Sequence, residues 1–94
     1  MFNHVVLLKF AADTPSEIVE RFTRALRALP EAISEIRTYS VGTGVHEGNW
    51  DFGIAAGFDS VEGWETYDAH PIHNEARTII GPHIVDRSAA QFWG

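Results

Sequence analysis

Phe52-Gly53-Ile54-Ala55-Ala56-Gly57-Phe58-Asp59-Ser60 is apolar on both alternating faces until it meets a polar capping pair. A strand of that kind is covered from both sides, so it belongs in the middle of a sheet. Val5-Val6-Leu7-Leu8-Lys9-Phe10 reads the same way apart from Lys9. These two runs are expected to be the central strands. Downstream, Asp59-Ser60 caps a helix that carries Val61, Trp64 and Tyr67 inward. Pro71 interrupts it, and a further helical turn or two is expected to reach Ile80. Gly81-Pro82 ends that segment, and Ile84 to Trp93 forms a last strand.

Between the two central strands, Asp13-Thr14-Pro15-Ser16-Glu17 looks like a helix start. Thr14 can cap, Pro15 suits the first helical position, and Glu17 closes a capping box. Ile18, Phe22, Ala25, Leu26 and Leu29 then share one stripe, and Pro30 is expected to stop the helix. Ile36 to Val45 alternates, with Tyr39, Val41, Thr43 and Val45 on one face and Ile36, Thr38 and Ser40 on the other. A bend is expected at Gly42 or Gly44, and His46-Glu47-Gly48-Asn49 makes the following turn.

The order strand, helix, strand, strand, helix, strand defines an α+β, ferredoxin-like βαββαβ protomer. Its four-stranded antiparallel sheet has two helices on one face, and strands one and three are central. Two helices cover only one face, yet both faces of the central strands are apolar. At roughly 25 cal/mol per Å² of exposed apolar area, the second face favours association. A second copy of the same sheet is the simplest cover, so a homodimer through the sheet faces is expected.

Length and composition narrow the function classes. Residues 1–94 are enough for one domain. The net charge of −6 and the scattered seven Lys and Arg residues argue against nucleic acid as a partner. No apolar run is long enough to span a membrane, and the first ten residues lack the features of a signal peptide, so a cytoplasmic location is expected. Without cysteine there is no disulfide and no thiolate chemistry. No flavin, nicotinamide or phosphate-loop motif is present, and no cofactor is expected.

The chemistry gathers in Tyr67-Asp68-Ala69-His70-Pro71-Ile72-His73. His73 titrates near neutrality and could remove a proton α to a carbonyl, while the Tyr67 phenol could donate to the enolate oxygen. In an unbroken helix the two would sit roughly 9 Å apart along the axis. Pro71 breaks the helix between them and could turn His73 back toward Tyr67. The plainer alternative is that Pro71 separates two helices whose side chains only pack. His70 can cap the helix end as a cation. The His70-x-x-His73 spacing with Glu75 offers no evident third ligand, so no metal site is expected. Trp64, one turn before Tyr67, is the favoured wall residue of an apolar pocket, with Phe58 and His70 beside it. Gly53 and Gly57 leave room for a ligand, for a partner's side chains or for the second helix packed close, and packing is the default.

His4-Val5-Val6-Leu7-Leu8-Lys9-Phe10, Phe58-Asp59-Ser60-Val61-Glu62 and the Tyr67–His73 element together resemble the stress-responsive dimeric α/β-barrel (Dabb) domain family, over essentially the whole chain. The resemblance implies two ferredoxin-like protomers closing sheet to sheet into a dimeric α/β barrel. One branch of that family, a plant polyketide cyclase that makes olivetolic acid, has its catalytic Tyr and His at the positions of Tyr67 and His73. Its pocket His falls on His4. This chain is longer than that branch between the first helix and second strand, which affects pocket shape. Three functions therefore stay open: a cofactor-independent, polyketide cyclase-like enzyme, a cofactor-free monooxygenase-like enzyme, and a non-catalytic dimeric protein that binds an apolar small molecule or serves a stress response.

Overall fold

In a computed structural model describing residues 1–94, the chain runs through four strands and four helices. The strands are β1 (Phe2–Phe10), β2 (Ile36–Thr43), β3 (Phe52–Phe58) and β4 (Ile84–Trp93). The helices are α1 (Ser16–Arg27), α2 (Leu29–Ala32), α3 (Val61–Ala69) and α4 (Pro71–Ile80), and a single 3₁₀ turn at Gly81–His83 leads into β4. All strand pairs are antiparallel and the sheet order is β2-β3-β1-β4. The two apolar runs do occupy the centre.

Alternation along the central strands sets the two faces. Phe2, His4, Val6 and Leu8 of β1 and Phe52, Ile54, Ala56 and Phe58 of β3 are buried on the helix side. Leu26, Leu29, Ile33 and Ile80 close over them. Val5 and Leu7 pair with Ala55 and Gly53 on the opposite side, flanked by Ala90 and Ser88 of β4. Gly53 and Gly57 lie on this open side, which leaves a partner's side chains or a ligand, and not the second helix, to pack against them. Met1 and Thr38 already fill the space a side chain at Gly57 would need, whereas Gly53 is open apart from Leu7.

Five local expectations change. Thr14 does not cap α1: its hydroxyl donates to the Ala11 carbonyl at 2.7 Å and closes the preceding turn. No side chain caps α1, and Pro15 takes the N-cap position. Pro30 is not a stop, because α1 already ends at Arg27 and the proline falls in the first turn of α2, where no intrahelical N–H is required. Val61 is exposed, so the inward stripe of α3 begins at Trp64. Finally, the pairing of β2 with β3 slips between Ile36 and Thr38. Arg37 is the extra residue of this bulge, and it puts Ile36 on the same helix-facing side as Tyr39 and Val41 rather than opposite them. β2 ends at Thr43, short of Val45; the Gly44 N–H still reaches the Asp51 carbonyl at 2.8 Å, and a Cβ at Gly44 would collide with the Trp50 carbonyl.

Candidate active site

The break at Pro71 builds the site. In a continuous helix the Tyr67 carbonyl would accept the N–H of residue 71, and proline has none. The Tyr67 carbonyl is thus left to other donors. The His70 N–H takes it at 3.2 Å, and His73 Nδ1 reaches it at 3.0 Å. The His73 ring consequently folds back and stacks on the Tyr67 ring, with centroids 4.1 Å apart and planes 27° apart. The proline acts by withholding a donor as well as by turning the chain.

His70 has a different duty from the one expected. It is half-buried, and its Nδ1 accepts the Ile72 N–H at 3.2 Å. It therefore caps the start of α4 with a lone pair, where a cation at the end of α3 had been expected. Neither Glu75 nor any other acidic or histidine group completes a metal-binding cluster with His70 and His73.

Each histidine is held in one tautomer. A carbonyl can only accept, so His73 Nδ1 donates and its Nε2 carries the lone pair. Burial, with the Arg77 charge next in weight, lowers the His73 pKa to about 4. His4 is the complement. Gln91 Nε2 donates to its Nδ1 at 3.0 Å, which leaves the hydrogen on His4 Nε2. Burial, then Arg87, also lowers the pKa of His4. One neutral imidazole thus offers an acceptor and the other a donor.

Tyr67 is buried, and its hydroxyl hydrogen-bonds the Tyr39 hydroxyl at 2.9 Å. Burial raises both phenol pKa values. Either hydroxyl can donate in this bond, so the Tyr67 proton is free for another acceptor when Tyr39 donates. Phe58, fully buried, packs its ring 5.3 Å from that of Tyr67.

His4, Tyr67 and His73 all line one cavity of about 270 Å³ between the sheet and the helices. β1 supplies Val6 and Leu8 to its wall, β3 supplies Ile54, and α1 supplies Phe22 and Leu26. Trp64, Phe58 and His70 do not line it. Trp64 stands behind His4, ring centroids 5.5 Å apart, because its position on α3 directs it toward Phe2 and His4. Phe58 backs Tyr67 in the core, and His70 is spent on its cap. The two charged lining residues, Arg77 and Arg87, escaped the sequence reading. Arg77 follows His73 by one helical turn, and the i, i+4 rule could have placed it there. Arg87 lies opposite Leu8 across the β1–β4 pair, a register no local pattern reveals.

The family model for the Stress Responsive A/B Barrel Domain matches residues 2–93. The chain belongs to this family. A dimeric ferredoxin-like protein of unknown function from Bacteroides fragilis is 30% identical, with a TM-score of 0.91, covering 99% of this chain and 95% of its own. A second dimeric ferredoxin-like protein of unknown function, from Thermobifida fusca, is 36% identical with a TM-score of 0.87, covering 97% of this chain and 88% of its own. A hydroxynitrile lyase from Passiflora edulis shares the barrel-domain fold at 12% identity, with a TM-score of 0.82, covering 97% of this chain and 90% of its own. No curated protein sequence matches the chain. No helix of this family member is long and apolar enough to cross a membrane.

Proposed function

We propose that the chain is a homodimeric, cofactor-independent enzyme that performs acid–base chemistry on an apolar, carbonyl-bearing molecule. The observation that carries this reading is the opposed tautomers of two neutral histidines on one largely apolar cavity. His73 Nε2 takes a proton from the carbon α to a carbonyl, and the electron pair of the C–H bond moves onto the carbonyl oxygen. His4 Nε2–H and the Tyr67 hydroxyl donate to that oxygen as its charge develops. In an intramolecular aldol closure, the enolate carbon then bonds to a second carbonyl carbon of the same molecule. The alkoxide so formed takes the proton back from His73.

A base held near pKa 4 is neutral and ready at physiological pH, but a weak acceptor. The reaction thus depends on stabilising the enolate, which falls to the His4 Nε2–H and the Tyr67 hydroxyl. The dimer reading is supported by the apolar open side of the sheet around Val5, Leu7 and Ala55, and by dimeric structural neighbours.

The test is solvent-deuterium exchange at the α carbons of a panel of polyketide-like ketones, followed by proton NMR. Wild type is expected to accelerate exchange, His73→Asn to lose about 100-fold or more, and Tyr67→Phe to lose less. Equal rates for wild type and His73→Asn would remove His73 as the base.

A further inference from the structure

Two guanidinium groups, Arg77 on α4 and Arg87 on β4, border the cavity, and no carboxylate lines it. The chain carries a net charge of −6 and only seven Lys and Arg residues. Placing two of those seven on one small apolar cavity opposes the sign of the rest of the molecule. A cleft with low-dielectric walls concentrates such a field.

The two cations differ in what they hold. Arg77 Nη1 donates to the Asp68 carbonyl and to Asn74 Oδ1, both at 2.8 Å, and its Nη2 pairs with the Asp68 carboxylate. Its charge is balanced and its fork is used. Arg87 sits in the β1–β4 pairing, and its backbone N–H donates to Asp86 Oδ1. Its guanidinium makes no hydrogen bond and no ion pair. It extends from the position opposite Leu8, on the same side of the sheet as His4. A free, planar fork of donors at the rim of an apolar cavity fits a carboxylate bidentately.

We propose that the cavity takes an apolar molecule bearing one carboxylate, its apolar body between sheet and helices and its carboxylate on Arg87. The inference rests on the reading that this cavity is the ligand site, and narrows the class of ligand. One uncommitted guanidinium matches a singly charged carboxylate better than a doubly charged phosphate monoester, since Arg77 is already neutralised by Asp68. Arg87 thus serves as an orienting group: with the acid fixed at the rim, one end of the ligand is directed toward His4, Tyr67 and His73.

Calorimetric titration of 4-pentylbenzoate and its uncharged amide, 4-pentylbenzamide, separates the two readings. Wild type is expected to bind the benzoate about fivefold more tightly or better at low salt, corresponding to about 1 kcal/mol for an exposed charge pair. The preference should shrink as salt is raised. Arg87→Gln should abolish it while leaving amide affinity unchanged, and Arg87→Lys should keep part of it. Equal affinities of wild type for the two probes, or a preference that survives in Arg87→Gln, would overturn the carboxylate assignment and leave the cavity as a ligand site. Binding of neither probe would remove both readings.

Discussion

His73 and Tyr67 are joined twice, ring on ring at 4.1 Å and Nδ1 to carbonyl oxygen at 3.0 Å. The second link exists because residue 71 has no N–H to offer the same carbonyl. Pro71→Ala restores that N–H and puts it in competition with the imidazole. The expected outcome is loss of the fixed His73 tautomer, read from ring ¹⁵N shifts, and a fall of about tenfold or more in α-carbon exchange. Global stability should move by no more than about 1 kcal/mol, because the substitution acts largely through the unfolded chain. An unchanged tautomer would show that stacking alone orients His73.

Tyr39 gives the Tyr67 hydroxyl its only protein partner. Tyr39→Phe strands a buried phenol and is expected to cost about 1–3 kcal/mol in urea unfolding. A variant as stable as wild type would mean that Tyr67 finds another partner.

The pH dependence of stability has a defined sign. His73 has a folded pKa of about 4, against the ordinary 6.5 of an unfolded histidine. Between these values the unfolded chain takes up a proton that the folded chain refuses. This contribution to stability is therefore complete above pH 6.5 and is lost as pH falls through 4, amounting to roughly 2–4 kcal/mol. The lowered pKa of His4 acts in the same direction. Urea midpoints at pH 7 and pH 4.5 should separate more for wild type than for His73→Asn. Equal separations would mean that His73 is protonated in the fold.

Ala55 is exposed at the centre of the open side, between Val5 and Ser40. With the sheets packed face to face, Ala55→Glu buries a carboxylate between two copies, which costs several kcal/mol. Wild type should sediment at twice the 10.5 kDa chain mass, and Ala55→Glu at the chain mass. A dimer that persists in the variant would place the interface elsewhere.

Much of this architecture was legible because its signals are local. Phe52–Phe58 and Ile84–Trp93 announce their strands by composition and their ends by Asp59-Ser60 and Gly81-Pro82. Pro71 announces the division of the second helical segment. Thr14 and Pro30 misled for a shared reason: each residue type has two local uses, and only the backbone around it selects one. The site was legible where it lies on a single segment, at Tyr67 and His73, and where the resemblance supplied His4. Tyr39, Gln91 and Arg87 reach it from β2 and β4 through strand register, which no window of sequence contains. Trp64 sits on the expected side of α3, but toward β1 rather than toward the cavity.

The bulge at Arg37 has an evolutionary and engineering consequence. Side chains three apart on a regular strand point to opposite sides, so a plain β2 could seat either Ile36 or Tyr39 under the helices, but not both. The added residue changes the parity of the strand midway, letting one end fill the core while the other supplies the hydroxyl partner of Tyr67. Deleting Arg37 would leave Ile36 and Tyr39 two positions apart, on the same side of a regular strand, so a chain one residue shorter here keeps both without the bulge. Comparisons among relatives should therefore count residues between the first helix and Tyr39 before asking whether the tyrosine itself is kept.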